Sequence, residues 1–442
     1  MSQKGQTTSL SERVEIGERW KAGQTDRQIA EALQRPIATV RKWRRRNKQQ
    51  GRTGLASHMG RPKRGPLGHF SGELVQALYD LRQANPGWGP ITLLCELQKD
   101  NRFANRLLPS RSRLAAYLKA RELVKSYQRH QAPPEPKPTS LERPHQEWEM
   151  DAQGKLNVAG LGGVAIINIS DVVSHVRIAS LPCAQTTHAN TLDYQLILRR
   201  AFAQYGLPEQ ISLDHDTVFY DSQTNSPFPT LLHLWLIGLG IAVRFIHQPP
   251  PAEHAHIERM HQLISRQAIL GQSFQDIAHL QTRLAERLQF LNQDYPSRSL
   301  QGQAPLSAFP QATHTARPYR LEWEKDELDL QRVFAYLAQG RWYRQTSAAG
   351  EFSLGAQRYS AHTQHASQTL EITFDPSHQQ FICLPQEGIS TFRLQAKGLT
   401  KETLMGELDP LNSLPVYQLS LPFSPQAGRE SLLFEDLPGT TL

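Results

Sequence analysis

Three carboxylates in the middle of the chain, Asp151, Asp214 and Glu258, fall in segments whose patterns place them on three different elements. Asp151 ends a strand-like run from Trp148, and Asp214 follows the short apolar strand Gln210 to Leu213. Glu258 lies in the first half of a helical pattern running from Glu253 to Leu270. Carboxylates converging from separate elements supply the hard oxygen ligands that Mg²⁺ or Mn²⁺ takes. Two such ions roughly 3.5–4 Å apart, one on the attacking oxygen and one on the leaving oxygen, perform phosphoryl transfer. An Asp at a strand end is more often a turn or cap residue, so spacing alone leaves this triad open.

The elements that would position these groups occupy residues 146–300. Val164 to Ile169 and His175 to Leu181 read as strands around a turn at Ser170-Asp171. His188 to Tyr205 reads as a helix, Pro229 to Leu239 as another, and Ile241 to Ile246 as a strand. That order predicts a small mixed sheet flanked by helices. Ligands of such sheets sit at strand C-terminal ends, where this reading puts Asp151 and Asp214. Glu149 shares a strand face with Asp151 and reads as a solvated neighbour. Asp171 reads as a turn residue and Asp193 as part of a helix surface. His254, His256 and His261 are solvated or capping side chains on the plainer reading, and phosphate contacts on the sharper one.

The net charge of +8 is unevenly spread. Residues 1–130 hold 26 of the 49 Lys and Arg but 10 of the 41 Asp and Glu, the footprint of a phosphate-binding region. Ser9 to Glu12 and Thr25 to Gln28 have the form of capping boxes, each opening a short helix. After Arg35-Pro36 a third helix turns Ile37, Val40 and Trp43 inward and carries Arg41, Lys42, Arg44, Arg45, Arg46 and Lys48. Three short helices with a basic third one is the helix-turn-helix layout, in which the last helix enters a major groove; small protein-binding bundles share it. Arg61, Lys63 and Arg64 form a flexible cationic arm suited to a minor groove or to a linker. A second helical unit, 66–130, has stripes at Leu74, Leu78, Leu81 and at Leu93, Leu94, Leu97, separated by a turn at Pro86 to Pro90. Its last helix, capped by Ser110, carries Arg111, Arg113, Lys119 and Arg121, with Leu114, Tyr117 and Leu118 inward. Gln131 to Arg143, with four prolines, is an extended linker.

Beyond the middle, Tyr319 to Leu337 reads as a charged helix and 340–396 as five short β segments, which predicts a small β-barrel. Residues 400–442 hold six acids against Lys401 and Arg429 and read as a disordered acidic tail.

Trp148-Glu149-Met150-Asp151 resembles the tryptophan-x-x-aspartate opening of the DDE catalytic core of retroviral integrases and many bacterial transposases. Ile211 to Phe219 is similar to the second motif of that core, a hydrophobic strand, Asp, a turn, then Phe. Pro249 to His261 is similar to the third, a proline-rich loop leading into the helix of the catalytic Glu, usually followed by Arg as Arg259 follows Glu258. Leu291-Asn292 to Pro296 and Leu300 to Leu306 resemble the stretch closing such cores. Two positions depart from the pattern. His215-Asp216 stands where Asn-Gly is usual after the Asp, and His254-Ala255 where Asn-Gly is usual ahead of the Glu. Asp216 and Glu253 are therefore rival ligands. Asp214 is preferred for its strand-end position and the offset to Phe219, and Glu258 for its place inside the helix beside Arg259. The resemblance implies a ribonuclease H-like core at 145–310, with Asp151, Asp214 and Glu258 as catalytic metal ligands for two Mg²⁺ (or Mn²⁺) ions. Arg259, Gln262 and Arg266 share a face with Glu258 and are candidates for gripping a DNA end.

The fold class expected is multidomain α/β: a helix-turn-helix domain (1–55), a second helical unit that is helix-turn-helix or winged-helix-like (66–130), a linker (131–144), the ribonuclease H-like core (145–310), a connecting helix (317–338), a small β-barrel (339–398) and the tail (399–442). Cys95, Cys183 and Cys383 form no ligand-spaced pair, which speaks against disulfides and zinc. Without an apolar run near ~18 residues or a signal-peptide core, the chain reads as a cytoplasmic, nucleoid-associated protein without a membrane partner. The activity expected is metal-dependent cleavage and strand transfer of transposon-end DNA into target DNA. The partners expected are those DNAs, further copies in a multimer on DNA, and an accessory ATPase or target-selection protein. The rival readings are an inactive or domesticated transposase acting as a DNA-binding protein, and a ribonuclease H-like nuclease without joining activity.

Overall fold

The computed structural model describes residues 7–55, 65–124, 140–183, 189–214, 218–219, 225–246, 255–386, 388 and 390–406. The chain divides into two compact units, 1–69 and 70–442. Arg61, Lys63, Arg64, His215, Asp216, Glu253, His254 and the tail beyond residue 406 lie outside the described residues.

In the first unit α1 (Leu10–Lys21), α2 (Asp26–Ala32) and α3 (Ile37–Gln50) pack around Ile16, Ile29, Val40, Trp43 and Leu55. Both capping boxes form, Ser9 with Glu12 and Thr25 with Gln28, so two helix starts are fixed by residues three apart. The core is small, and side chains staple it. The Arg13 guanidinium is buried, donates to the carbonyl oxygens of Thr8 (2.6 Å) and Leu55 (3.0 Å), and stacks over the Trp43 ring. Ile37, expected inward, is 38% exposed, because as first residue of α3 it projects beyond the three-helix core.

The second unit begins with α4 (Gly72–Ala84), α5 (Pro90–Lys99) and α6 (Arg111–Ala120), whose apolar stripes meet at Leu74, Leu78, Leu93, Leu97, Leu114 and Leu118. A five-stranded sheet follows, built from β1 (Glu147–Val158), β2 (Gly162–Asp171), β3 (Arg177–Pro182), β4 (Gln210–Leu213) and β5 (Ala242–Phe245) in the order β3-β2-β1-β4-β5. The β1–β2 and β2–β3 pairs are antiparallel, and the β1–β4 and β4–β5 pairs parallel. On one face, α7 (Thr191–Tyr205) and α8 (Leu231–Gly238) bury Trp148, Met150, Ile167, Ile169, Ile211 and Leu213. On the other lie α9 (Ala255–Ile264), a π-helical turn continuing it (Ser265–Ile269) and α10 (Ile277–Gln293), against Val158, Val164 and Ile166. The expected mixed α/β architecture is present. Asp151, expected at a strand end, sits instead in mid-strand. β4 leaves after pairing Ser212 with Glu149, while β1 runs on to Val158 as a hairpin with β2.

The helical unit and the sheet unit are stitched together at the π turn. A Cβ on Gly87 would come within 1.9 Å of the Arg266 carbonyl oxygen, so only glycine permits this approach. Trp88 Nε1 donates to the Gln267 carbonyl at 3.0 Å, and Gln267 Nε2 donates to Thr92 Oγ1 at 2.7 Å. A π turn frees carbonyls from the helical ladder, and the Gln267 carbonyl finds its donor in Trp88.

Towards the C-terminal end the expected continuous helix is broken. After α11 (Pro305–Ala308), the charged segment forms a 3₁₀ turn (Leu321–Trp323), α12 (Glu324–Glu327) and α13 (Leu330–Leu337), with Asp329 capping the last. The short strands β6 (Trp342–Gln345), β7 (Glu351–Leu354), β8 (Gln357–Ser360), β9 (Thr369–Asp375), β10 (Gln380–Pro385) and β11 (Phe392–Gln395) precede α14 (Lys401–Met405). They do not close into the expected barrel. β11-β10-β9-β6 is an open four-stranded sheet, and β7–β8 is a separate hairpin. Their inner faces join the core of the sheet unit through Trp342, Phe352, Ile372 and Phe381.

Candidate active site and nucleic-acid interface

The alternation along β1 sorts its side chains into two chemistries. Trp148 and Met150 point into the apolar core, and Glu147, Glu149, Asp151 and Gln153 point to the α9 side. The parallel pairing matches Glu147 with Gln210 and Glu149 with Ser212. The pairing ends there, with Asp151 two residues further along β1 and Asp214 directly after β4. Both are half-buried. Glu258 lies in the first turn of α9 and is exposed. The three predicted residues thus lie on β1, directly after β4 and on the helix packed over the sheet.

Around them lies a polar layer that alternation alone did not identify. Glu147 is buried and takes hydrogen bonds from Ser212 Oγ, from Arg244 Nη2 and from Gln210 Nε2 (2.9 Å). Glu149, read from sequence as a solvated neighbour, is 2% exposed. Burial raises its carboxyl to about 8; the Ile257 N–H opposes that shift, and the charges of Glu147 and Glu258 add to it. Its Oε2 accepts the Ile257 backbone N–H at 3.0 Å. The correction has a plain cause: a polar strand face usually meets water, but α9 covers this one. Asn168, opposite Asp151 on β2, is fully buried, and neither of its amide atoms has a hydrogen-bond partner among the described residues.

The histidines divide. His261 Nδ1 stands 3.9 Å from an Asp151 oxygen. His256, a candidate phosphate contact, instead packs against His175, with the two Nδ1 atoms 3.0 Å apart, and burial lowers the pKa of both. Asp171 is the expected turn residue, accepting from the backbone of His145 and Ser174. Asp193 closes the capping box of α7.

The donor set has the chemistry of a hard-cation site, carboxylate oxygens on the central strand, after its neighbour and on the covering helix. Yet among the described residues no three His, Cys, Asp or Glu side chains are gathered closely enough to hold an ion. Arg259, Gln262 and Arg266 are exposed and follow Glu258 at helical spacing along α9 and its π turn.

On α3 the basic residues fall into two groups. Arg44 lies 2.8 Å from Asp26 and over the Trp20 ring, and Arg46 is half-buried over Trp43. Lys42 and Arg45 are exposed, as is Arg41, whose link to Asp26 is longer at 3.5 Å. These three share the outward stripe with Ala38. Arg111 and Arg113 are exposed in the first turn of α6.

Residues 7–56 match the homeodomain-like domain family, which makes the first unit a helix-turn-helix domain. The match covers that unit alone. Among solved structures, the chain is similar to the catalytic core domain of BIV integrase, with 15% identity over 38% of this chain and 95% of that one and a TM-score of 0.28. It is also similar to the HTLV-2 integrase catalytic core domain in complex with magnesium, in a trimeric form, with 14% identity over 37% of this chain and 96% of that one and a TM-score of 0.27. A dimeric form of the same domain gives 14% identity over 37% of this chain and 93% of that one, again at 0.27. No curated protein matches the sequence.

Proposed function

We propose that the chain is a DDE-type DNA transposase: it binds transposon ends and performs metal-dependent cleavage and strand transfer into target DNA. The observation carrying this reading is that Asp151 on β1 and Asp214 just after β4 follow two strands that pair in parallel, with α9 and its Glu258 packed on the same sheet, in a chain that also carries a helix-turn-helix domain. Asp151, Asp214 and Glu258 would hold two Mg²⁺ or Mn²⁺ ions, which would activate the attacking hydroxyl and stabilise the leaving oxygen. Lys42, Arg45 and Arg41 would enter the major groove of the end sequence. Arg61, Lys63 and Arg64 would follow its minor groove, and Arg111 and Arg113 would grip phosphates further along. Arg259 and Arg266 would hold the reacting DNA end beside Glu258. Assembly on DNA as a multimer, an accessory ATPase or target-selection protein, and a nucleoid location in the cytoplasm belong to the same proposal.

One observation favours a second reading, that of a DNA-binding protein descended from a transposase. The carboxylates are not gathered around a single point, and His215-Asp216 and His254-Ala255 replace the usual turn residues. A strand-transfer assay with a labelled, pre-nicked end and Mg²⁺ or Mn²⁺ separates the two. Joined product from wild type and none from Asp214→Asn, with end binding retained, supports the transposase. End binding without joining by either protein, with the accessory partner supplied, supports the second reading. Joining that survives in Asp214→Asn moves the second ligand to Asp216.

A further inference from the structure

Glu149 has no place in the metal set, yet it is an acid withdrawn from water between two of its members. An unpaired carboxyl is costly to bury, and an apolar residue of similar size would fill the same space without that cost. Among the described residues its one hydrogen bond runs from the Ile257 N–H, which belongs to the first turn of α9. The first four N–H groups of a helix have no partner within it, and a carboxyl oxygen there satisfies one of them.

The position of that bond gives it meaning. Asp151 lies two residues along β1 on the same face as Glu149, and Glu258 lies one residue along α9 from Ile257. The bond thus joins the strand of one carboxylate to the helix of another, one or two residues from each. The other polar ties of α9 to β1 lie beyond its first turn, where His261 Nδ1 stands 3.9 Å from an Asp151 oxygen. His256 reaches His175 before β3, and Ser265, in the π turn, meets Gln153 at 3.1 Å. We propose, on the strand-transfer reading above, that Glu149 is a positioning residue: its carboxyl latches the first turn of α9 to β1 and so sets the separation of Glu258 from Asp151.

The test uses the full chain and four variants, Glu149→Gln, Glu149→Leu, Glu149→Ala and Asp151→Asn. Amide exchange at Ile257 and calorimetric titration with Mn²⁺ alone are measured on each. Gln keeps an acceptor in place and is expected to retain both the protection of Ile257 and wild-type Mn²⁺ affinity. Leu fills the space without an acceptor, and Ala empties it. Either is expected to unprotect Ile257 and to weaken Mn²⁺ binding about tenfold or more, as for other residues that orient metal ligands. Should Ala fail to fold, Leu carries the comparison. The latch is overturned if Ile257 stays protected and Mn²⁺ affinity is unchanged in Leu, or if Gln behaves like Leu. If wild type takes up no more Mn²⁺ than Asp151→Asn, the strand-transfer reading falls instead, and amide exchange at Ile257 alone decides the latch.

Discussion

Trp148 Nε1 donates to Nδ1 of His145 at 3.1 Å, and His145 Nε2 meets the Ala312 carbonyl oxygen at 3.0 Å. The indole that opens the Trp-x-x-Asp motif is thus a fully buried anchor. It fixes which side of β1 faces the apolar core, and the alternation then delivers Asp151 to the opposite side. Trp148→Phe removes the donor and leaves the buried His145 nitrogen unpaired, which should cost about 1–3 kcal/mol. Urea unfolding measures this, and an unchanged midpoint would remove the anchoring role.

A second ion-paired centre supports the same core from behind. Arg199 meets Glu324 in two hydrogen bonds, at 2.6 and 2.8 Å, and Trp235 Nε1 and Tyr319 Oη also donate to the Glu324 carboxylate. Both charges are buried, so removing one strands the other. Arg199→Met should cost about 3–5 kcal/mol. A loss below 1 kcal/mol in chemical denaturation would contradict this.

Buried histidines should make the protein lose stability as the pH falls from 6.5 towards 4. Burial lowers the pKa of His145 and brings that of His233 to about 4. Between 6.5 and 4 the unfolded histidines bind protons that the folded ones refuse, so their contribution to stability is full above 6.5 and is lost as pH drops through that window. His233 alone could contribute up to about 3 kcal/mol. Among the described residues its Nε2 is buried without a hydrogen-bond partner. His233→Leu should therefore raise stability and flatten the slope between pH 6.5 and 4. A slope identical to wild type would assign the acid sensitivity elsewhere.

The two groups on α3 predict two phenotypes. Lys42→Ala or Arg45→Ala should leave folding intact, weaken binding to end DNA and reduce the dependence of log K on log salt by about 1 each. Arg46→Ala, which loses a ring contact in the small core, should show mainly in thermal unfolding. Equal salt slopes for Arg45→Ala and wild type would dismiss this helix as the DNA-binding surface.

Gly87→Ala should loosen the junction between the turn ahead of α5 and the π turn after α9, because a Cβ there meets main-chain atoms of Arg266 that have no room to retreat. Faster proteolysis between residues 70 and 124 is the expected signature, and wild-type cleavage kinetics would argue against a tight fit.

How far the sequence revealed this depended on the distance over which each signal acts. The capping boxes at Ser9 and Thr25 and the strand Gln210 to Leu213 are local patterns, and they fold as read. Asp151, Asp214 and Glu258 could be picked out by motif, and they lie on β1, directly after β4 and on α9. The length of β1 was missed because Gly154-Lys155 interrupts its alternation, although pairing with β2 resumes at Leu156. The barrel was over-read because short strands with turns announce a sheet, whereas closure depends on which edges meet. β6 and β11 remain apart at opposite edges. Glu149 was misjudged because only the placement of α9 decides whether a polar face is wet.

The π turn at Ser265–Ile269 has a consequence for how this molecule tolerates insertions and deletions. A π turn accommodates one residue more than the α-helix around it. Removing one residue there would close the segment as an ordinary α-helical turn and return its freed carbonyls to the helical ladder. The Gln267 carbonyl would then swing away from Trp88, and α4–α6 would lose their seat while the residues ahead of the turn kept theirs. At this junction, then, chain length is a determinant in its own right: a one-residue deletion would be felt even if every contacting side chain were conserved.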